Sequence, residues 1–118
     1  MMERYLLQLL QSALSVPVEW GNFRDGQGLP RVSLTRVGGR RDQHLASNGP
    51  MRGSVQIDCW GRDVNESIPV EKDVRAALEG HLGGPLLNVQ LTSIRDGFSN
   101  DPAAAARVSL TFALTWRE

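Results

Sequence analysis

Cysteine is nearly absent from this chain of 118 residues, Cys59 being the single one. One thiol cannot close an internal disulfide, and no CxxC or Cys/His spacing suggests a zinc site, so a reducing, cytoplasmic history is the natural reading. An excess of charge is missing as well, since 13 Lys+Arg balance 13 Asp+Glu. Nucleic-acid binding by default is driven by a surplus of Lys and Arg, so only local patches leave that partner open. No window approaches the ~18 uninterrupted apolar residues of a membrane span, and no membrane partner is expected. The opening stretch from Met1 to Trp20 carries Glu3, Arg4, Gln8, Gln11 and Ser12, with neither a basic start nor a small-residue cleavage site. It is expected to be folded protein rather than a leader.

What is present is enough apolar material for one core. At 41% hydrophobic residues, a chain of this size forms one domain over residues 1–118 and buries about two-thirds of its unfolded surface. Leu6, Leu9, Leu10, Ala13 and Leu14 share one helical stripe, which predicts a helix from Met2 to Leu14 ended by Pro17. Val18 to Leu29, with Gly21, Gly26 and Gly28, reads as a short extended piece followed by a mobile loop. From Pro30 the period becomes two, with Val32 and Leu34 on one face, and this strand is expected to stop at Gly38-Gly39. A second strand, Arg52 to Trp60, sets Val55, Ile57 and Cys59 against Ser54, Gln56 and Asp58.

The helical period returns with Val70, Val74, Ala77, Leu78 and Leu82. Asn65 or Ser67 is the expected cap, Pro69 is expected in the first turn, and Gly80 is the expected stop. Leu87, Val89 and Leu91 form one face of a third strand. Val108, Leu110, Phe112, Leu114 and Trp116 alternate with Arg107, Ser109, Thr111, Ala113 and Thr115 in a strand of ~11 residues and ~35 Å. The order is α-β-β-α-β-β, an α+β domain in which two helices pack on one face of an antiparallel sheet with long hairpin connections. The other face stays polar, and the open sheet edges invite a second copy as cover.

The residues of catalysis are sparse. Period two puts Cys59 among Val55 and Ile57, where a thiol is a small inert hydrophobe. His44 and His81 have no sequence neighbour that would make either a base, and the carboxylates Asp96 and Asp101 lie among turn-forming residues. Walker, GxGxxG and GxSxG patterns are absent, and Gly38-Gly39-Arg40-Arg41 lacks the context of a phosphate loop. No enzyme activity, metal or cofactor is expected. The two long connections stand out instead, because structureless loops of ~12 or more residues are usually functional or disordered. Val37 to Met51 holds Arg40, Arg41, Asp42 and His44, with Arg36 and Arg52 at its base. Arg95 to Ala106 holds Arg95, Asp96 and Phe98. These nine residues are the candidate assembly interface. A nucleic-acid module using Arg36, Arg40, Arg41 and Arg52 is the competing reading, although that patch has no interleaved aromatics for base stacking.

Leu29 to Gly39 (LPRVSLTRVGG), Val55 to Gly61 (VQIDCWG), Val74 to Gly80 (VRAALEG) and Arg107 to Phe112 (RVSLTF) with Trp116 resemble the small tail-completion proteins of long-tailed bacteriophages, which also occur in prophages and gene transfer agents. The resemblance spans essentially the whole chain and lies in packing patterns rather than catalytic signatures. It implies a tail terminator in the virion: a homo-oligomeric ring, usually of six, that caps the tail tube at the tail-neck junction and docks the head connector. Its partners would be the tail-tube protein on one face and the connector or adaptor on the other, with non-specific passage of DNA through the channel. A head-side adaptor or a tail-tube protein is the alternative within the same particle.

Overall fold

The structure is a computed structural model and describes residues 2–21, 29–43, 48–98 and 106–117. Its elements follow the chain as α1 (Met2–Ala13), β1 (Val18–Trp20), β2 (Arg31–Gln43), β3 (Asn48–Gly61), α2 (Val64–Leu78), β4 (Leu86–Phe98) and β5 (Ala106–Trp116). The five strands make one sheet in the order β1-β2-β3-β5-β4. Four of them form the expected antiparallel array. The short extended piece after Pro17 becomes β1, which pairs parallel with β2 through Val18↔Val32 and Trp20↔Leu34 and makes the sheet mixed.

Alternation explains the core. Val32, Leu34, Val55, Ile57, Cys59, Val108, Leu110, Phe112 and Leu114 all point to one side, where Leu6 and Leu10 of α1 and Val70, Val74 and Leu78 of α2 cover them in a single cluster. Burying each large aliphatic or aromatic side chain contributes about 1.5–3 kcal/mol relative to leaving it in water. On α2, Glu71 is buried and accepts from Arg75 (2.9 Å), which also donates to Glu79 (3.2 Å), so an i,i+4 ladder keeps the one buried helix carboxylate paired.

Several boundaries differ from the sequence reading. The α2 cap is Asp63, whose side chain accepts from the Glu66 backbone N–H (3.0 Å), while Glu66 accepts from the Arg62 backbone N–H (3.0 Å). This reciprocal cap lies upstream of Asn65 and Ser67. Pro69 therefore falls in the second turn, and the carbonyl that loses its donor belongs to the exposed Asn65. Gly80, at φ +71°, ends the helix in the left-handed region as expected. Leu82 lies beyond that stop and is 68% exposed rather than in the helix stripe.

The larger difference concerns the first long connection. β2 does not stop at Gly38-Gly39. It continues to Gln43, and β3 begins at Asn48, so most of the expected loop is a paired ladder. Glycine marks a close approach here rather than a break. Gly39 and Gly53 are cross-strand partners, and a side chain on Gly53 would run into the Gly38 carbonyl, the Gly39 Cα and the ring of Trp116. Trp116 thus lies across a floor of glycine backbone, buried at the base of the hairpin arm. The molecule measures 53 × 25 × 25 Å along its principal axes.

Candidate assembly surface

The candidate interface residues fall into two groups at opposite ends of the sheet. In the arm, Arg36, Arg40, Arg41 and Arg52 are all exposed. Arg40 stands directly opposite Arg52, and Arg41 opposite Met51. Arg36 donates to Glu3 of α1 at 3.0 Å, which ties the first turn of that helix to the arm. Asp42 is a β2 backbone position beside an irregularity between Arg41 and Gln43, and His44 lies outside the described residues. A groove of about 370 Å³ bounded by Glu3, Arg36, Met51 and Trp116 runs along the helix side of the glycine floor. These arginines are therefore presented by a hydrogen-bonded ladder, not by the loop expected from sequence.

At the other end, β4 places Arg95 opposite Ser109, Asp96 opposite Val108 and Phe98 opposite Ala106. Arg95 and Asp96 are exposed on opposite faces, Arg95 with the polar residues of the open side and Asp96 with the helix side. The row of Arg95 continues through Ser109 to Asp58, and the row of Arg40 passes through Arg52. Six residues of β3 separate them, or ~20 Å at 3.2–3.4 Å per residue. The fold does not gather the two groups into one site.

A third cluster escaped the sequence reading. On the open face, Trp60 sits between Arg31 and Arg107 in register, and both guanidiniums lie over its ring, at 5.8 and 5.3 Å from the centroid. The indole Nε1 donates to Ser33 Oγ at 3.1 Å, so the ring reaches toward the neighbouring row. That row contains Asp58, 7% exposed, which accepts from Ser109 Oγ (2.6 Å) and from Gln56 Nε2 (3.0 and 3.2 Å to its two oxygens). Arg107 also crosses Gly97 closely, since a Cβ there would meet its guanidinium at 3.1–3.2 Å. Period two puts Arg107 on the polar face of its strand and leaves Trp60 only as the end of another. Only the pairing register, which no local pattern encodes, brings them together.

The chemistry of the remaining polar groups is limited. Burial, reinforced by the charges of Glu71 and Asp58, pushes the Cys59 thiol far above its ordinary range, so it stays neutral and poorly nucleophilic. His81 Nε2 lies 3.0 Å from the Tyr5 hydroxyl, joining the turn after α2 to α1. Among the described residues, no group of three or more His, Cys, Asp or Glu could hold a metal ion, and no helix is long and apolar enough to cross a membrane. The outer edge of β4, and that of β2 beyond Leu34, have no strand partner among the described residues.

Neither a family model nor a curated protein matches the sequence. Among solved structures, the fold is similar to a chain in the virion of a native gene transfer agent particle, with a TM-score of 0.57 and 12% identity. The alignment covers 96% of this chain and 84% of that one. At such low identity it is the α+β architecture that the two share.

Proposed function

We propose that this chain is a structural subunit of a phage-like particle, closing into a ring, six copies by the resemblance, that completes the tail tube and presents the docking surface for the head connector. The observation that carries the reading is the fold shared over nearly the whole chain with a component of a gene transfer agent virion. The exposed strand edges fit it, because a closed ring pairs or covers edges that a single copy leaves open to indiscriminate strand addition. The arm fits it too, since a stiff ladder bearing Arg40, Arg41 and Arg52 projects charge toward a neighbour without calling on the subunit core. In this reading the protein works by assembly and not by catalysis.

The test is solution mass over a range of concentrations, followed by negative-stain imaging and by particle counts from cells lacking the protein. Closed rings, with heads and tails accumulating separately in its absence, are expected. A species that remains a single chain at every concentration, or particles joined normally without the protein, would overturn the proposal.

A further inference from the structure

The neutral total conceals an uneven distribution. Among the described side chains, register places Arg31, Arg40, Arg52, Arg95 and Arg107 on the open sheet face, against Glu19 and the buried Asp58. The carboxylates Glu3, Asp63, Glu66, Glu71, Asp73 and Glu79 belong to the helices and the α2 cap on the other side. There the ion pairs Arg36–Glu3, Arg62–Glu66 and Arg75–Glu71 absorb much of the charge.

From this asymmetry we propose that the open sheet face is a docking surface for the phosphate backbone of double-stranded DNA, contacted without regard to sequence. DNA is at hand for this face only if the particle role above holds, yet the face has its own signature. The rows of Arg40 and Arg107 are eight β3 residues apart, ~27 Å, within one ~34 Å turn of B-form DNA. Between them lie Thr35, Gln56, Thr111 and Ser93, short polar side chains that leave the platform low and offer hydroxyl and amide donors. Neither Arg40 nor Arg95 makes an ion pair or hydrogen bond among the described residues. The Arg107 guanidinium lies over the Trp60 ring, 5.3 Å from its centroid, and close to the Gly97 backbone, which narrows the positions its donor fork takes before any phosphate arrives.

Two other partners fit less well. A single strand would be held by aromatic stacking, but Trp60 is the one aromatic on this face among the described residues and carries a guanidinium on each side. A protein partner would seek an apolar anchor with a polar rim, whereas the large exposed apolar side chains Val37, Leu87 and Ile94 stand on the outer strands β2 and β4 and not on the central platform.

The experiment is anisotropy of a labelled ~30-base-pair duplex with the purified chain between about 50 and 200 mM salt, the range over which phosphate contacts weaken steeply. Binding should fall with salt. Arg95→Ala should make the slope of log affinity against log salt shallower by about one, and Arg95→Ala with Arg107→Ala by about two. Lys72→Ala on the exposed side of α2 should leave it unchanged. Arg95 is exposed and makes no packing stack, so its single variant reads the face even if loss of Arg107 loosens Trp60. Absence of salt-dependent binding, an unchanged slope in Arg95→Ala, or displacement of the duplex by poly-glutamate at equal charge would overturn the proposal. Rings that form but do not bind the duplex would refute this face and leave the ring reading standing, while a single chain that binds it would do the reverse.

Discussion

The two faces of the sheet share one backbone and one set of hydrogen bonds, yet they are built on different principles. On the covered face, apolar side chains from all five strands meet two helices, and the stability arises from area removed from water. On the open face no second layer is found among the described residues, and burial is achieved locally. The Trp60 ring reaches toward a row in which Ser33, Asp58 and Ser109 are 7%, 7% and 4% exposed, and the polar atoms withdrawn there are paired, Ser33 accepting from Trp60 and Ser109 donating to Asp58. The covered face decides whether the chain folds. The open face can be changed with little effect on folding except beneath Trp60, where a small polar core behaves as if it were interior.

The sharpest way to break this contrast is Phe112→Ala on the covered face, which should destabilise by about 3–5 kcal/mol because Phe112 is fully enclosed. A two-state domain typically has ~5–15 kcal/mol in total, so chemical denaturation should show much of the folded margin gone. Thr111→Ala, one residue away on the other face, should leave the midpoint nearly unmoved. Similar midpoints for the two variants would mean that the faces are energetically alike.

Asp58→Ala tests the exception on the open face. It removes the acceptor of Ser109 and Gln56 and should destabilise by about 1–3 kcal/mol, a loss out of proportion for a sheet face that neither helix covers. Urea melts of this variant beside Thr35→Ala would measure the difference.

Cys59→Ala should cost about 1 kcal/mol at neutral pH and bring a pH dependence with a definite sign. Because the folded thiol pKa is raised, the unfolded chain releases its proton above the ordinary value of 9.0 while the folded chain retains it. Folding stability therefore declines as pH rises past that value, and the gap between wild type and Cys59→Ala should narrow there. Melts at stepped pH would show it, and a thiol reagent should react only as the protein unfolds.

The smallest expected effect on folding is that of Arg40→Ala with Arg41→Ala. Both side chains are exposed, and surface charges contribute little to stability, so the melting temperature should stay nearly constant. The yield of joined particles, counted by electron microscopy, should fall. Normal melting with normal joining would make the arm's arginines dispensable to assembly.

How much of this was legible in sequence depended on how local the cause is. The eleven residues of β5 alternate strictly, and the structure follows them from Ala106 to Trp116. Cys59 was placed in the core by the same two-residue period, and α1 by its leucine stripe. The α2 cap was missed because Asp63, Asn65 and Ser67 are all competent caps, and the choice was made by the reach of Glu66 back to Arg62. The arm was missed because glycines that admit a tryptophan across the sheet look, along one strand, like glycines that end it. The Arg31–Trp60–Arg107 stack joins three strands, so only pairing register could reveal it. In β4, Leu87 was assigned to the buried face, but a register irregularity after Leu86 makes Leu87 the extra residue, and Leu86 takes the core position.

That irregularity belongs to a pattern with an evolutionary consequence. The ladder between β3 and β5 runs without a slip from Met51↔Trp116 to Gly61↔Ala106. The register shifts lie outside that ladder: three carry their extra residue on the flanking strands, at Val37 in β2 and at Leu87 and Thr92 in β4, and the fourth sets Asp42 against Gly49 and Pro50 of β3, beyond the stretch that pairs with β5. One residue inserted or deleted in either central strand would turn its remaining side chains inside out. In the flanking strands an odd residue is already absorbed, and the extra Thr92 even donates its hydroxyl to the Thr111 carbonyl at 3.0 Å. Length variation among descendants of this chain should therefore accumulate at Val37, Leu87 and Thr92 and at the Gly49–Pro50 end of β3, and Met51–Gly61 of β3 and all of β5 should keep their residue count while their sequences drift.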